Sequence, residues 1–201
     1  MTRIRLLWAH DGHAFEAVEP DAALIDRHAC QLCDWYNATE NASMMDGSGT
    51  MTRADVVDFW RALRADGGRG FFAFVDGELV GDADVRGIDR GAAEFAIMIG
   101  SPERKGRGIG RAIARMVHVF AFRELRLDRL YVPPRRDNAR VHALNAFLGY
   151  EPDESGVARA YADSPDCATF SLSRAGFRAR HGDAWLEVVA ARAAPPPRGL
   201  S

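Results

Sequence analysis

Hydrophobic positions along the chain fall into short alternating runs and longer stripes at helical spacing. Ile4 to Trp8 and Ala14 to Val18 are apolar runs on either side of Asp11-Gly12, and together they predict an opening hairpin. Asp21 then stands as the N-cap of a helix from Ala22 to about Tyr36, with Leu24, Ile25, His28, Leu32 and Trp35 on one stripe. The polar segment Asn37 to Thr50 follows and carries Glu40, Asn41, Met44, Met45 and Asp46, a candidate lip for a substrate pocket. Thr52 and Asp55 have the spacing of a capping box, and Val56, Val57, Trp60 and Leu63 continue an amphipathic helix to about Arg64. Gly67, Gly68 and Gly70 stop it. Phe71 to Val75, the turn Asp76-Gly77 and Leu79 to Val85 predict a second hairpin, and Ala92 to Ile99 adds a third antiparallel strand.

After Gly108 a helical stripe runs through Ile109, Ala112, Ile113, Met116, Val117, Phe120 and Leu125. A strand at Arg129 to Val132 is ended by Pro133-Pro134. Asn138 opens a helix with Val141, Leu144 and Phe147, and Gly149 closes it at the C′ position. Ala168 to Leu172 reads as the last strand. The run Pro195-Pro196-Pro197 cannot join a packed element, so residues 1–190 are expected to form the domain and residues 191–201 a disordered tail.

A chain of 201 residues suits a single domain, and 47% hydrophobic with 27% charged residues places it among soluble globular proteins. The formal net charge of -2 argues against nucleic acid as a partner, so any anion site has to be local. Lys105 is the only lysine. No apolar run approaches the roughly 20 residues that span a bilayer, which predicts a cytoplasmic protein with no membrane partner. Three cysteines make no disulfide framework. Cys30 and Cys33 lack two further ligands for zinc, so no metal site is expected and the pair reads as buried helical packing. Trp60, Phe71 and Phe72 fit a core or an interface, and the oligomeric state stays open, a homodimer being one arrangement.

The segment with chemical content runs from Ile97 through Gly106-Arg107-Gly108-Ile109-Gly110 to Arg111. A strand enters it and a helix leaves it, so successive backbone N–H groups can converge on an anion at the helix start. Glycines remove the Cβ atoms that would keep phosphate oxygens away, and Lys105, Arg107 and Arg111 add positive charge. A P-loop would need Lys and then Ser or Thr after the glycines, but Gly110 is followed by Arg111-Ala112. A dinucleotide site would need an acid at the end of the next strand, where Pro133-Pro134 stands instead.

Lys105-Gly106-Arg107-Gly108-Ile109-Gly110 resembles the signature of the GNAT family of N-acetyltransferases, (Gln or Arg)-x-x-Gly-x-(Gly or Ala), with Lys105 at the Gln or Arg position. Asn138-Ala139-Arg140 through Leu144 to Leu148-Gly149-Tyr150 is similar to that family's second, Asn-led motif. The resemblance spans about Ile4 to Ser173. It implies an α+β domain whose mixed, mostly antiparallel sheet splays between the Ala92 to Ile99 and Arg129 to Val132 strands, flanked by helices. It also implies acetyl-CoA as co-substrate. The pantetheine arm would run beside Met98, Ile99 and Gly100, the pyrophosphate would sit on the amides from Gly106 to Arg111, and Asn138 would border the arm.

Acyl transfer to an amine needs a group that removes a proton, a polarised carbonyl and a stabilised leaving thiolate. Glu94 is the candidate base, with a solvent-facing strand residue as the alternative. A backbone N–H near Met98 or Ile99 would face the oxyanion. Many members of the family carry a tyrosine near the CoA sulfur where this chain has Asn145, so either Asn145 only stabilises the thiolate by hydrogen bonding or another group or water supplies the proton. Tyr150 reads as core and His142 as solvent-facing. Asp34-Trp35-Tyr36-Asn37 and Val80-Gly81-Asp82 are similar to the branch with ribosomal-protein N-terminal, aminoglycoside and other small-amine acetyltransferases. The expected acceptor is therefore a primary amine of a small molecule or peptide N-terminus, with Glu40, Asp46 and Glu94 as an acidic lining, the alternative for Glu40 and Asp46 being a solvated loop. The competing reading is an acyl-CoA-binding regulatory domain without turnover, suggested by Asn145.

Overall fold

Each strand predicted from alternation forms in the computed structural model, which describes residues 3–43 and 49–192. β1 (Ile4–His10) and β2 (His13–Val18) make the hairpin, with Asp11 and Gly12 both at positive φ in its turn. The Asp21 side chain accepts from the Leu24 amide and starts α1 (Ala22–Asn37). The Asn37 to Thr50 segment holds a short helix that the pattern does not announce, α2 (Thr39–Ala42), while Met44, Met45 and Asp46 lie outside the described residues. Thr52 and Asp55 close the capping box at the head of α3 (Arg53–Ala65).

β3 (Arg69–Val75), β4 (Glu78–Asp89) and β5 (Ala92–Ile99) form the expected antiparallel meander, with β4 four residues longer at its far end than its apolar pattern suggests. An extra residue in β4, near Val80, shifts the register against β3 between Ala73 and Phe74. α4 (Ile109–Val119) runs into a wider helical turn at Phe120–Glu124 and leads to β6 (Arg129–Val132). Asn138 caps α5 (Ala139–Leu148), and Gly149 ends it at φ +94°.

The chain then adds β7 (Glu151–Pro152), α6 (Gly156–Arg159), β8 (Phe170–Ser173), α7 (Arg174–Arg180), α8 (Gly182–Glu187) and β9 (Val189–Arg192). Two expectations need correction here. The strand placed at Ala168 to Leu172 is β8, two residues later at its start, and it is not the last. β9 returns to the first hairpin and pairs antiparallel with β1, from Ile4 opposite Arg192 to Leu7 opposite Val189. Its four residues carry almost no alternation, and their order comes from a partner at the other end of the chain. The second correction concerns the cysteines. α1 buries Ile25, Ala29, Leu32 and Tyr36, which turns Cys30 outward, while half-buried Cys33 donates its thiol to the Met51 carbonyl at 3.1 Å.

The nine strands form one sheet in the order β7-β8-β6-β5-β4-β3-β2-β1-β9. Among them β5 and β6 are the one parallel pair, and their pairing stops after Glu94 opposite Tyr131. From Phe95 to Ile99 β5 keeps β4 on one side and has no β6 partner on the other. This is the expected splay. One face of the sheet packs Phe71, Ala83, Val85, Phe95 and their neighbours on α4, and the other packs Phe72 and Leu79 under α1 and α3. Trp60, Phe71 and Phe72 are core residues.

Two buried polar pairs link helices to neighbouring elements. His118 on α4 is fully buried; its Nδ1 lies 2.7 Å from the Ala114 carbonyl and its Nε2 2.8 Å from the Tyr150 hydroxyl. Burial holds its imidazole down at about 3, so it is neutral, and Tyr150 is the core residue the sequence suggests. On the other face Tyr36 of α1 donates to Asp82 of β4 at 3.0 Å. Burial pushes the Asp82 carboxyl up to about 8, despite that hydrogen bond.

Asp82 thus holds a proton in the fold that it loses in the unfolded chain at neutral pH. Its contribution is fully present below the unfolded carboxylate range and is lost as pH rises toward 8. Asp82→Asn keeps an acceptor for Tyr36 but cannot ionise. The variant is expected to show a smaller fall in stability between pH 5 and 8 than the native chain, measured by urea denaturation at each pH. An equal fall in both proteins would remove Asp82 as its source.

Candidate functional site

β5 leaves the splay through Gly100, whose amide donates to the Val80 carbonyl at 2.9 Å. A Cβ at Gly100 would overlap the Trp35 ring, so glycine lets α1 close over this end of the strand. A tight turn at Pro102–Arg104 then leads to Lys105. Gly106 and Gly108 both take positive φ, +77° and +81°, and a Cβ at either would meet nothing within 4 Å. Gly108 is the N-cap of α4, and the amides of Ile109 and Gly110 have no intrahelical carbonyl to serve, whereas the Arg111 amide, expected to face the pyrophosphate, already donates to the Gly108 carbonyl at 2.9 Å. The loop is therefore a concavity with free backbone donors at a helix start.

Its basic flanks are unequal. Arg107 is exposed, and Arg111 stacks over Phe147 of α5 at 4.6 Å, which ties the loop's helix to the Asn-led one. Lys105 is bound by Glu40 and by Asn41 Oδ1 at 2.8 Å, both from α2. Glu40 also meets Arg140 of α5 at 3.3 Å, and these two cations hold its carboxyl below the usual range, Lys105 most strongly. A residue expected on the acceptor side thus stands at the glycine loop. Periodicity carries no sign of this contact, because 65 residues separate its partners.

The catalytic candidates occupy opposite walls. Glu94 sits where β5 and β6 part, largely covered, and Arg86 of β4 donates to it at 2.5 Å. Asn138 spends its side-chain oxygen on the Val141 amide, as a helix cap. Asn145 is buried, and its side-chain nitrogen has no hydrogen-bond partner among the described residues. An orphaned donor of this kind costs free energy unless something meets it, about 1–3 kcal/mol for a neutral group. His142, expected in solvent, is half-buried with its ring edge-on to Phe170 and Nε2 3.2 Å from the Arg135 carbonyl.

The register places more chemistry beside Glu94. On the face under α1 and α3, Asp82 lies opposite Met98, Asp84 opposite Ala96, and Arg86 opposite Glu94. Asp84 is buried, its Oδ1 has no hydrogen-bond partner among the described residues, and the nearest cation is Arg86 Nε at 3.8 Å. Burial pushes the Asp84 carboxyl up to about 6; Arg86 opposes the shift and Glu94 adds to it. Tyr131, across from Glu94 on β6, stacks on Tyr161 at 4.8 Å. Sequence reasoning misses Asp84 and this tyrosine pair. The alternation Asp82, Asp84, Arg86 is a usable signal, but it reads as a solvent face when no helix is known to cover it.

Among the described residues no helix is long and apolar enough to cross a membrane. No curated protein matches the chain by sequence. Its fold is similar to that of Mycobacterium smegmatis RimJ in complex with CoA-disulfide, at 17% identity and TM-score 0.69 over 94% of this chain and 99% of that one. It is also similar to the aminoglycoside acetyltransferase AAC(6')-Ib in complex with coenzyme A, at 16% identity and TM-score 0.66 over 88% and 98%. A spermidine N-acetyltransferase SpeG chimera from Vibrio cholerae and hSSAT matches at 16% identity and TM-score 0.64 over 82% and 97%. At such identities the likeness establishes the fold. The sequence itself matches the family model for the acetyltransferase (GNAT) domain over residues 8–151, so the chain belongs to the GNAT acetyltransferase family.

Proposed function

We propose that this protein transfers an acetyl group from acetyl-CoA to a primary amine of a small molecule or peptide N-terminus. The observation that carries the reading is the open edge of β5 from Phe95 to Ile99, which leads directly into the cradle at Gly106 and Gly108. An extended pantetheine arm matches an unpaired strand edge, and a pyrophosphate matches free amides at a helix start. The space that a Cβ would fill at Gly106 and Gly108 fits phosphate oxygens. When bound, acetyl-CoA supplies a thioester carbonyl and a thiolate leaving group.

In this reading Met98, Ile99 and Gly100 hold the arm by their backbone, and the amides from Gly106 to Gly110 hold the pyrophosphate, the Arg111 amide being engaged by Gly108. Lys105, Arg107 and Arg111 add positive charge. Asn138 borders the arm by fixing the start of α5. A backbone N–H near Met98 or Ile99 polarises the carbonyl. The unpartnered amide of Asn145 donates to the sulfur as negative charge builds there, which needs no proton donor because thiolates leave readily. Asp84 and Glu94 make the amine side acidic, and the Tyr131–Tyr161 stack offers π faces beside Glu94, so the acceptor is a cation before it reacts. The aminoglycoside and spermidine acetyltransferases among the similar folds are named for amines of that kind.

The direct test is release of free thiol from acetyl-CoA by the purified chain across a panel of primary amines and peptides. No amine-dependent release would overturn the reading. Gly108→Val puts a branched side chain into the cradle at a positive φ, and it is expected to abolish CoA binding in calorimetry while the circular dichroism spectrum is unchanged. Binding with native affinity would mean the loop is not the pyrophosphate site. Glu40→Gln removes the anion that competes for Lys105. It is expected to tighten CoA binding several-fold at low ionic strength and less at high salt, and weaker binding would show instead that Glu40 holds Lys105 in place for the cofactor.

A further inference from the structure

We propose that Asp84, not Glu94, takes the proton from the acceptor ammonium. The inference rests on the acetyltransferase reading above, and its ground is the arrangement on the covered face of β4 and β5. Three cross-strand pairs stand in a row there: Asp82 with Met98, Asp84 with Ala96, Arg86 with Glu94. The β5 members are all half-buried, and Ala96 has the smallest side chain of the three. Of the three positions, Ala96 puts the least side chain beside the open edge of β5. Its cross-strand neighbour is Asp84, about 5 Å away across the ladder.

The two carboxylates differ in what they already hold. Glu94 accepts a hydrogen bond from Arg86 at 2.5 Å, and a proton arriving there would have to break a charge-assisted pair. Asp84 has an oxygen with no hydrogen-bond donor among the described residues, in a side chain more than nine-tenths buried. Such an atom is open to a proton, a water or a ligand group, and a proton is the one that a carboxyl in this environment can take up and release. The groups that act on it come from every element packed around it. Asp82 and Arg86 flank it on β4, Glu94 faces it diagonally on β5, Tyr36 looks down from α1, and its neighbour on β3 is Gly70, which has no side chain. Burial raises the carboxyl to about 6, with Arg86 opposing the shift and Glu94 adding to it, so both of its forms are accessible close to neutral pH, where a base is most useful.

The step balances with no further reactant. An N–H bond of the ammonium breaks, its proton goes to Asp84 Oδ1 and the electron pair stays on nitrogen. That pair forms the C–N bond, the C–S bond breaks, and the sulfur leaves with its pair; the nitrogen, still carrying two hydrogens after attack, gives its second proton to that sulfur, so the products are the amide, the CoA thiol and protonated Asp84. Glu94 acts as a positioning residue: by holding Arg86 it keeps that guanidinium from satisfying Asp84 fully.

The experiment compares the native chain, Asp84→Asn and Glu94→Gln in two ways. In protein labelled with 13C at the aspartate carboxyls, one resonance should titrate near pH 6 and be missing from Asp84→Asn. In turnover, kcat of the native chain should rise with pH through the same region. Asp84→Asn should lose about 100-fold in kcat together with that limb, while Glu94→Gln keeps the limb. Loss of the limb in Glu94→Gln with its survival in Asp84→Asn would overturn the proposal, as would the absence of an aspartate titrating near pH 6. If the native chain transfers nothing, the functional reading falls by itself, and 1,4-diaminobutane added to the labelled protein decides the rest. A shift of the Asp84 resonance supports a base that meets the amine, and an unmoved resonance overturns it.

Discussion

The sheet is organised around one broken ladder. A strand inside a sheet normally satisfies its peptide groups on both edges, and burying them unpaired is costly. β5 gives up one edge from Phe95 onward, although its other edge stays paired with β4 as far as Ile99. Much else follows from tolerating that gap. β6 is kept to four residues and cut off by Pro133-Pro134, so it cannot zip onto the open edge. The end of β5 is pinned instead by the amides of Gly100 and Ser101, both of which donate to the Val80 carbonyl. The register shift in β4 falls beside that same residue. A gap held open in this way is a rigid slot for a ligand that brings its own peptide-like groups, which pantetheine does.

Charge is divided by the same strand. Cations cluster where β5 ends, at Lys105, Arg107 and Arg111, and acids gather on the covered face of β4 and β5 at Asp84 and Glu94, beside the protonated Asp82. An anionic cofactor and a cationic acceptor can therefore approach from opposite sides without competing for the same groups. The exception is Glu40, an acid carried by α2 into the basic end, where it engages Lys105 and Arg140. The two sides are joined through it.

Features set by local chemistry are legible in the sequence. Caps at Asp21, Thr52 and Asn138, the positive-φ turns, and the Gly106 to Gly110 loop all depend on a few adjacent residues, and each stands where its pattern lies. Features set by distant partners are not. β9 has no alternation to betray it, Cys30 misses the buried stripe of α1 by one position, and the Glu40 contact joins segments far apart in the chain. Asp84 is the instructive case at the site. Alternating acids on a strand look solvated, and only the covering of that face by α1 and α3 converts one of them into a buried carboxyl with a spare oxygen. The glycine loop is readable because glycine and helix geometry are local. The proton's destination is not, because burial is a property of the whole fold.

The two outermost strands carry a consequence for self-association. β9 offers four residues at one end of the sheet, and β7 offers two at the other, the second of them Pro152, whose nitrogen has no hydrogen to donate. Among the described residues, two copies meeting edge to edge at β7 would find a two-residue ladder that ends in proline, and at β9 a four-residue one. Both edges stand several strands from the slot beside β5, so a pairing there would leave that slot free of a neighbour's strand.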